Sequence, residues 1–197
     1  GIRVLGFRLD PHELKNFSVD EQDVLSQIFS REEEEAEMVM VHARYSESSV
    51  FENLLRSAQG VVLAVSPTGA SMPEVYRVCK HLFRVNPGLR VGLMAYASGE
   101  TNGKSSLWMG KLVSASRQFL GKDVEWYGTI PSEPLIERSL AAKVPVTLLD
   151  PSSRSAAGFS GISEKMQEKV QTAARKNGNG YSFFETLHQP QVPRETQ

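Results

Sequence analysis

The chain has 197 residues, and its 22 lysines and arginines nearly balance its 23 aspartates and glutamates. This length suits one domain with a sizeable core, and the balanced charge argues against a nucleic-acid-binding protein. No apolar run approaches the roughly 18 residues of a membrane-spanning helix, so no integral membrane segment is predicted. The single cysteine, Cys79, excludes an internal disulfide and suits a reducing cytoplasm.

Strand and helix patterns alternate along most of the chain. Short apolar, β-branched runs indicate strands, and apolar residues that recur every three or four positions indicate helices. Strands are predicted over residues 2–9, 38–43, 60–66, 89–96, 124–130 and 145–149. Helices are predicted near residues 18–29, where Ser18 and Glu21 form a capping box, and near 50–58, 75–83, 107–119, 134–142 and 155–176. The alternation predicts an α/β fold in which helices cover both faces of a parallel, Rossmann-like sheet.

The ordered pattern ends at Asn177-Gly178-Asn179-Gly180. We therefore predict one domain at residues 1–176 and a mobile tail at residues 177–197. The tail contains an apolar island at Tyr181, Phe183, Phe184 and Leu187. Two interpretations of this island stay open: it docks back on the domain, or it is a peptide that binds a partner.

The loop after the fourth predicted strand comes closest to a nucleotide-binding motif. It ends in Gly103-Lys104-Ser105, after a strand and before a helix, which is the setting of a phosphate-binding loop. Such a loop has glycine or alanine where this chain has Ser98, and the carboxylate of Glu100 would repel an approaching phosphate. The residues favour a polar loop that starts a helix, with phosphate binding as the alternative.

The remaining candidate residues indicate no catalytic or metal site. The four histidines show no ligand spacing with one another or with a pair of acids, and Cys79 lies on the apolar stripe of a predicted helix, as a core residue does. Four acids near strand ends are predicted to be ordinary surface acids: Asp123, Glu125, Glu133 and Glu137. No catalytic residue and no metal ligand is therefore assigned.

Three stretches, in their order and spacing, resemble the MinD/ParA-like P-loop ATPases, in particular the FlhG (FleN) branch. The resemblance covers about residues 2–166. Residues 60–80 are similar to the family's apolar strand, serine-proline turn and following helix, and residues 37–45 and 51–59 to its switch strand and the next helix. The third stretch is similar to the family pattern L-G-x-I-P-x-D … P-V … P-x-S; it comprises Trp126-Tyr127-Gly128-Thr129-Ile130-Pro131-Ser132-Glu133, residues 137–146 and Pro151-Ser152-Ser153. The resemblance implies a three-layer sandwich of the MinD type.

The departures from the family pattern concern its nucleotide site. No phosphate loop with two lysines precedes His42. The family's switch aspartate aligns with His42, and a neutral imidazole is a poor ligand for Mg²⁺. The asparagine that contacts adenine aligns with Tyr96, and the acid after Ile-Pro is Glu133. The resemblance therefore implies a pseudo-ATPase in which neither ATP nor Mg²⁺ is expected as a cofactor.

The implied function is that of a regulatory or scaffold protein acting through protein contacts, in flagellar number or placement or in another polar surface assembly. The protein is expected in the cytoplasm; attachment to the membrane or cell pole through a partner and formation of a homodimer stay open. The expected contact surfaces are residues 44–50 and the helix at 104–120. Two alternatives remain: an active ATPase, as a portion of a longer chain or using the 98–105 loop, and a MinD-like protein of cellulose secretion or pilus assembly.

Overall fold

The computed structural model describes residues 31, 36–66, 72–98 and 102–176. Described residues up to Ala58 belong to one compact unit, and those from Gln59 onward belong to a second. The predicted strand at 2–9, the helix after the capping box, and the tail with its apolar island lie outside the described residues. The predicted domain boundary at residue 176 stays a prediction.

The first unit contains helix α1 (Ser49–Ser57). Ser48 is its N-cap residue, and the Ser48 hydroxyl accepts a hydrogen bond from the backbone N–H of Phe51 at 3.3 Å. The predicted strand at 38–43 is wrong, because these residues form no strand and their side chains are exposed, Met40 to 70%. An apolar run becomes a strand only when a neighbouring strand completes its backbone hydrogen bonds, and no described strand pairs with this segment.

The second unit is built on a parallel sheet of three described strands, β1 (Gly60–Val65), β2 (Arg90–Ser98) and β3 (Val124–Ser132), in the order β1-β2-β3. Helix α2 (Met72–Val85) lies in the connection from β1 to β2, and helix α3 (Asn102–Ala115) lies in the connection from β2 to β3. Right-handed crossovers between strands in sequential order place both helices on one face of the sheet. The α/β, parallel-sheet prediction is confirmed.

The main core lies between β2 and these two helices. Val91, Leu93 and Ala95 alternate along β2 and are each 2% exposed or less. Four buried side chains of α2 and α3 complete this layer: Cys79, Leu82, Met109 and Leu112. Helix α3 continues into a π-helical turn, Ser116–Leu120, which ends at Gly121 with a left-handed backbone (φ 62°).

Two short helices follow β3, namely α4 (Pro134–Ala142) and α5 (Val146–Leu149). The predicted strand at 145–149 is wrong, because the N–H groups of Leu148 and Leu149 donate to the carbonyl of Pro145 at 2.9 Å and close one helical turn. A four-residue apolar run fits a strand and a helical turn equally well. Here Pro145, with its φ of −53°, precedes the turn.

The last described helix, α6 (Arg154–Lys176), packs against β3. Its Ile162 joins Tyr127 and Ile130 in a second apolar cluster, which Met94 of β2 also contacts. Tyr127 is an extra residue in β3, since Leu93 pairs with Trp126 and Met94 with Gly128. Helices thus cover both faces of the sheet. None of the helices formed by residues 36–66, 72–98 and 102–176 is long and apolar enough to cross a membrane.

Candidate functional site

Polar side chains gather where β2 and β3 end, the edge at which open parallel sheets bind their ligands. Tyr96 lies near the carboxyl end of β2 and is 43% exposed. Its hydroxyl donates to the hydroxyl of Ser132, the last residue of β3, at 3.0 Å. Tyr96 is therefore tied to the neighbouring strand.

Glu133 follows Ser132 and holds the start of α6. Its Oε1 accepts from Nε of Arg154 at 2.8 Å, and its Oε2 accepts from the backbone N–H and the hydroxyl of Ser155 at 2.9 and 2.7 Å. The Glu133 side chain is only 15% exposed, and Ser155 is fully buried. The prediction that Glu133 is an ordinary surface acid is wrong, because folding brings it to a helix N-terminus 22 residues further along the chain.

The contacts of Glu133 favour its charged form. The hydrogen bonds from Ser155 and then from Arg154 lower the pKa of Glu133 below its ordinary value. A carboxylate at a helix N-terminus is also stabilised by the helix dipole. Since both oxygens are engaged and the proton is held weakly, this carboxylate suits an anchor better than a general acid or base.

The loop that leads into α6 is shaped by its own side chains. Asp150 Oδ1 accepts from the backbone N–H and the hydroxyl of Ser152 at 3.0 and 2.6 Å. The Ser153 hydroxyl donates to the carbonyl of Asp150 at 2.8 Å and accepts from the N–H of Ala156 at 3.2 Å. Folding therefore joins the two stretches that resemble I-P-x-D and P-x-S into one arrangement at the start of α6.

The other positions singled out from the sequence lie apart from this arrangement or are described only in part. His42 is exposed in the segment of the first unit that precedes α1. Gly103, Lys104 and Ser105 belong to the first turns of α3, directly after β2, while residues 99–101 lie outside the described residues. Both interpretations of these three residues, a polar start of a helix and a phosphate-binding site, stay predictions.

The thiol of Cys79 lies in the core, apart from this arrangement. Cys79 is fully buried, and this burial raises the pKa of its thiol to about 11. The prediction that it is a core residue is confirmed. In residues 36–66, 72–98 and 102–176, no group of three or more histidines, cysteines and acids can hold a metal ion.

A second feature lies on the outer side of α3 and its π turn. Leu107 and Phe119 are 70% and 68% exposed, and between them runs a shallow groove of about 480 Å³. It is lined by Leu107, Gly110, Lys111, Ser114, Ala115, Gln118 and Phe119. This shallow groove falls within the contact surface that the sequence predicts at 104–120.

Comparison with models of known protein families finds no match for this chain, and comparison with curated proteins finds none either. The fold defines a parallel α/β domain of Rossmann-like form. The resemblance to the MinD/ParA ATPases is one of sequence motifs alone and stays a prediction.

Proposed function

We propose that this protein is a non-catalytic, MinD/FlhG-like regulatory or scaffold protein that works through protein–protein contacts. It would act in the cytoplasm, in the control of flagellar number or placement or in another polar surface assembly. The observation that carries the proposal is Tyr96 at the carboxyl end of β2. It stands where the family pattern has an adenine-contacting asparagine, and its hydroxyl is bonded to Ser132 of β3 at 3.0 Å.

Two further observations support the proposal. His42 stands where a magnesium-binding ATPase of this type carries an aspartate. The exposed apolar side chains of α3 give the domain a surface for a partner. A fold kept for its surface would preserve the packing of the sheet and helices while its nucleotide site changes freely.

A titration of the full chain with Mg-ATP by calorimetry, with ADP in parallel, tests the proposal. We expect no saturable heat from a folded sample. Saturable binding near 1 μM, about −8 kcal/mol, would overturn the pseudo-ATPase proposal. The same titration on Lys104→Ala then assigns the site, because loss of binding places ATP on the 98–105 loop.

An active ATPase is the second candidate, and one observation favours it. Gly103, Lys104 and Ser105 lie in the first turns of α3, the helix that follows β2 in the chain, and this order of strand and helix is that of a phosphate-binding motif. ATP binding that survives Lys104→Ala would instead point to a site elsewhere in the chain or in a longer protein that contains it.

A further inference from the structure

The groove on α3 has a definite charge. Residues 101–122 contain four basic side chains (Lys104, Lys111, Arg117 and Lys122) and no acidic one, in a chain that has 22 basic and 23 acidic residues in all. Arg117 is paired with Asp123 at 2.7 Å, and the Lys122 ammonium donates to the carbonyl of Pro87 at 2.8 Å. Lys111, which lines the groove, is exposed and makes no ion pair with a described residue. The groove therefore offers a positive charge to whatever occupies it.

The shape of the groove suits a helix. It is shallow and open, and its lining includes small residues (Gly110, Ser114 and Ala115) that lie in the chain between the exposed side chains of Leu107 and Phe119. Twelve residues of helix separate those two positions, about 18 Å or three turns. Small residues allow a second helix to approach closely, and the bulky side chains fit between its side-chain ridges.

We propose that this groove binds an acidic amphipathic helix of a partner protein, with apolar side chains between Leu107 and Phe119 and a carboxylate on Lys111. The proposal deepens the proposed function and rests on it, because it names the chemistry of the partner. Apolar anchors supply the affinity of such helix-in-groove contacts, and the opposite charges set orientation and specificity.

Two other occupants fit the groove less well. In a symmetric dimer the same patch faces itself, so Lys111 would approach Lys111 of the second copy and the like charges would repel. An anionic membrane surface favours a broad apolar face that can be buried among the lipids. Here polar residues (Lys111, Ser114 and Gln118) also line the surface that carries the two bulky apolar side chains, so the apolar face is not broad.

The test is a binding titration of the full chain by fluorescence anisotropy. The probe is a labelled helical peptide of about 14 residues, with leucines on one face and glutamates elsewhere; its counterpart carries lysines in place of the glutamates. We expect salt-sensitive binding of the acidic peptide only. Gly110→Leu places a bulky side chain in the lining of the groove, at a position where an added Cβ meets nothing within 4 Å, and should weaken binding about tenfold or more.

The charge is tested by Lys111→Glu, which should transfer the preference from the acidic to the basic peptide. Leu148→Ser is the control for substitution of an exposed residue outside the groove. Leu148 lies on α5 and is 73% exposed, against 70% for Leu107, and its substitution should leave binding unchanged. Circular dichroism of each variant verifies that the fold is intact.

Several outcomes would overturn the proposal. One is no binding of the acidic peptide, and another is equal binding of both peptides. A third is dimerisation of the chain that Gly110→Leu abolishes, which would assign the groove to a second copy. A fourth is binding to phosphatidylserine vesicles that Leu107→Ser abolishes, which would make it a lipid surface. Mg-ATP binding would remove the proposed function and leave the peptide result standing, so the two failures are distinguishable.

Discussion

Helices α6 and α3 both pack on the sheet, but α6 is fixed to it by polar contacts along much of its length. Its first turn is held by Glu133 through Ser155 and Arg154. Further along, the Lys165 ammonium donates to the carbonyl of Tyr127 at 2.8 Å. Near its end, Lys169 pairs with Glu125 at 2.9 Å. The position of α6 is thus set by specific bonds as well as by packing.

Helix α3 is held chiefly by one apolar stripe. Met109 and Leu112 are 1% and 0% exposed, whereas Leu107 and Phe119 on the other side lie mostly in solvent. The comparison shows that the two helices are attached differently. Polar contacts and packing fix α6 to the sheet, whereas α3 buries one side and leaves the other exposed to solvent. Substitutions in α6 should therefore act on stability, and those on the outer side of α3 should act on binding.

The largest expected effect contrasts the two sides of α3. Leu112→Ala removes a fully buried side chain and should lower the free energy of unfolding by about 2–5 kcal/mol, the usual cost of such a cavity. Leu107→Ala should change it by about 0.5 kcal/mol or less, because that side chain is already in solvent. Urea unfolding followed by circular dichroism measures both. Equal losses would mean that the outer side of α3 is part of the core.

The second effect concerns the close approach of α6 to β3 at Gly158. An added Cβ there would lie 2.8 Å from the carbonyl oxygen of Thr129, so the helix must move away from the strand. Gly158→Ala should cost about 1–3 kcal/mol.

Gly161→Ala in the same helix is the control. Nothing lies within 4 Å of its added Cβ, so it should raise stability by about 0.5–1 kcal/mol through helix propensity. A neutral Gly158→Ala would contradict the close packing of α6 on β3.

The third effect compares two fully buried serines, one in the turn after α3 and one on α6. The Ser116 hydroxyl, in that turn, has no hydrogen-bond partner among the residues that the structure describes. Ser116→Ala removes an unsatisfied polar group at almost constant shape and should raise the free energy of unfolding by about 1 kcal/mol. Ser155→Ala should lower it, because the Ser155 hydroxyl donates to Glu133. Thermal unfolding of both variants tests the contrast, and a shift in the same direction would refute it.

The sequence predicts the elements of this fold where the pattern is long. Strands β1, β2 and β3 and helices α1, α2, α4 and α6 lie where apolar runs and helical spacing place them. The pattern fails for short apolar runs, as at residues 145–149, where local hydrogen bonds to Pro145 decide the structure. It fails again at 38–43, where strand formation depends on a neighbour that no local pattern specifies.

Sequence patterns also do not predict which face of α3 is buried or the role of Glu133. Leu107, Leu112 and Phe119 belong to one predicted amphipathic helix, yet of these three only Leu112 is buried. Spacing alone does not show which part of a widely apolar helix meets the sheet. The contact of Glu133 with Ser155 joins residues 22 apart; the one sequence signal for it is the resemblance of both stretches to a single family pattern.

The last prediction concerns the polar anchor of α6 and depends on pH. Because the pKa of Glu133 is lowered from its ordinary value of 4.5 in the folded protein, its charged form stabilises the fold above about that pH. The contribution is lost as the pH falls through the folded-state pKa. Glu133→Gln should therefore lower the melting temperature at neutral pH, and the difference from the original protein should shrink as the pH falls below about 4.5.

Glu164→Gln is the matched control, since it removes the same charge from an exposed position on α6 and so reports the effect of net charge itself. Thermal melts of the three proteins from neutral to acid pH make the comparison. A Glu133→Gln deficit that stays constant down to acid pH would show that shape and hydrogen-bond number, and not the carboxylate charge, hold the helix. A deficit that shrinks with acid would instead identify α6 as the helix whose attachment is electrostatic, in contrast to the apolar attachment of α3.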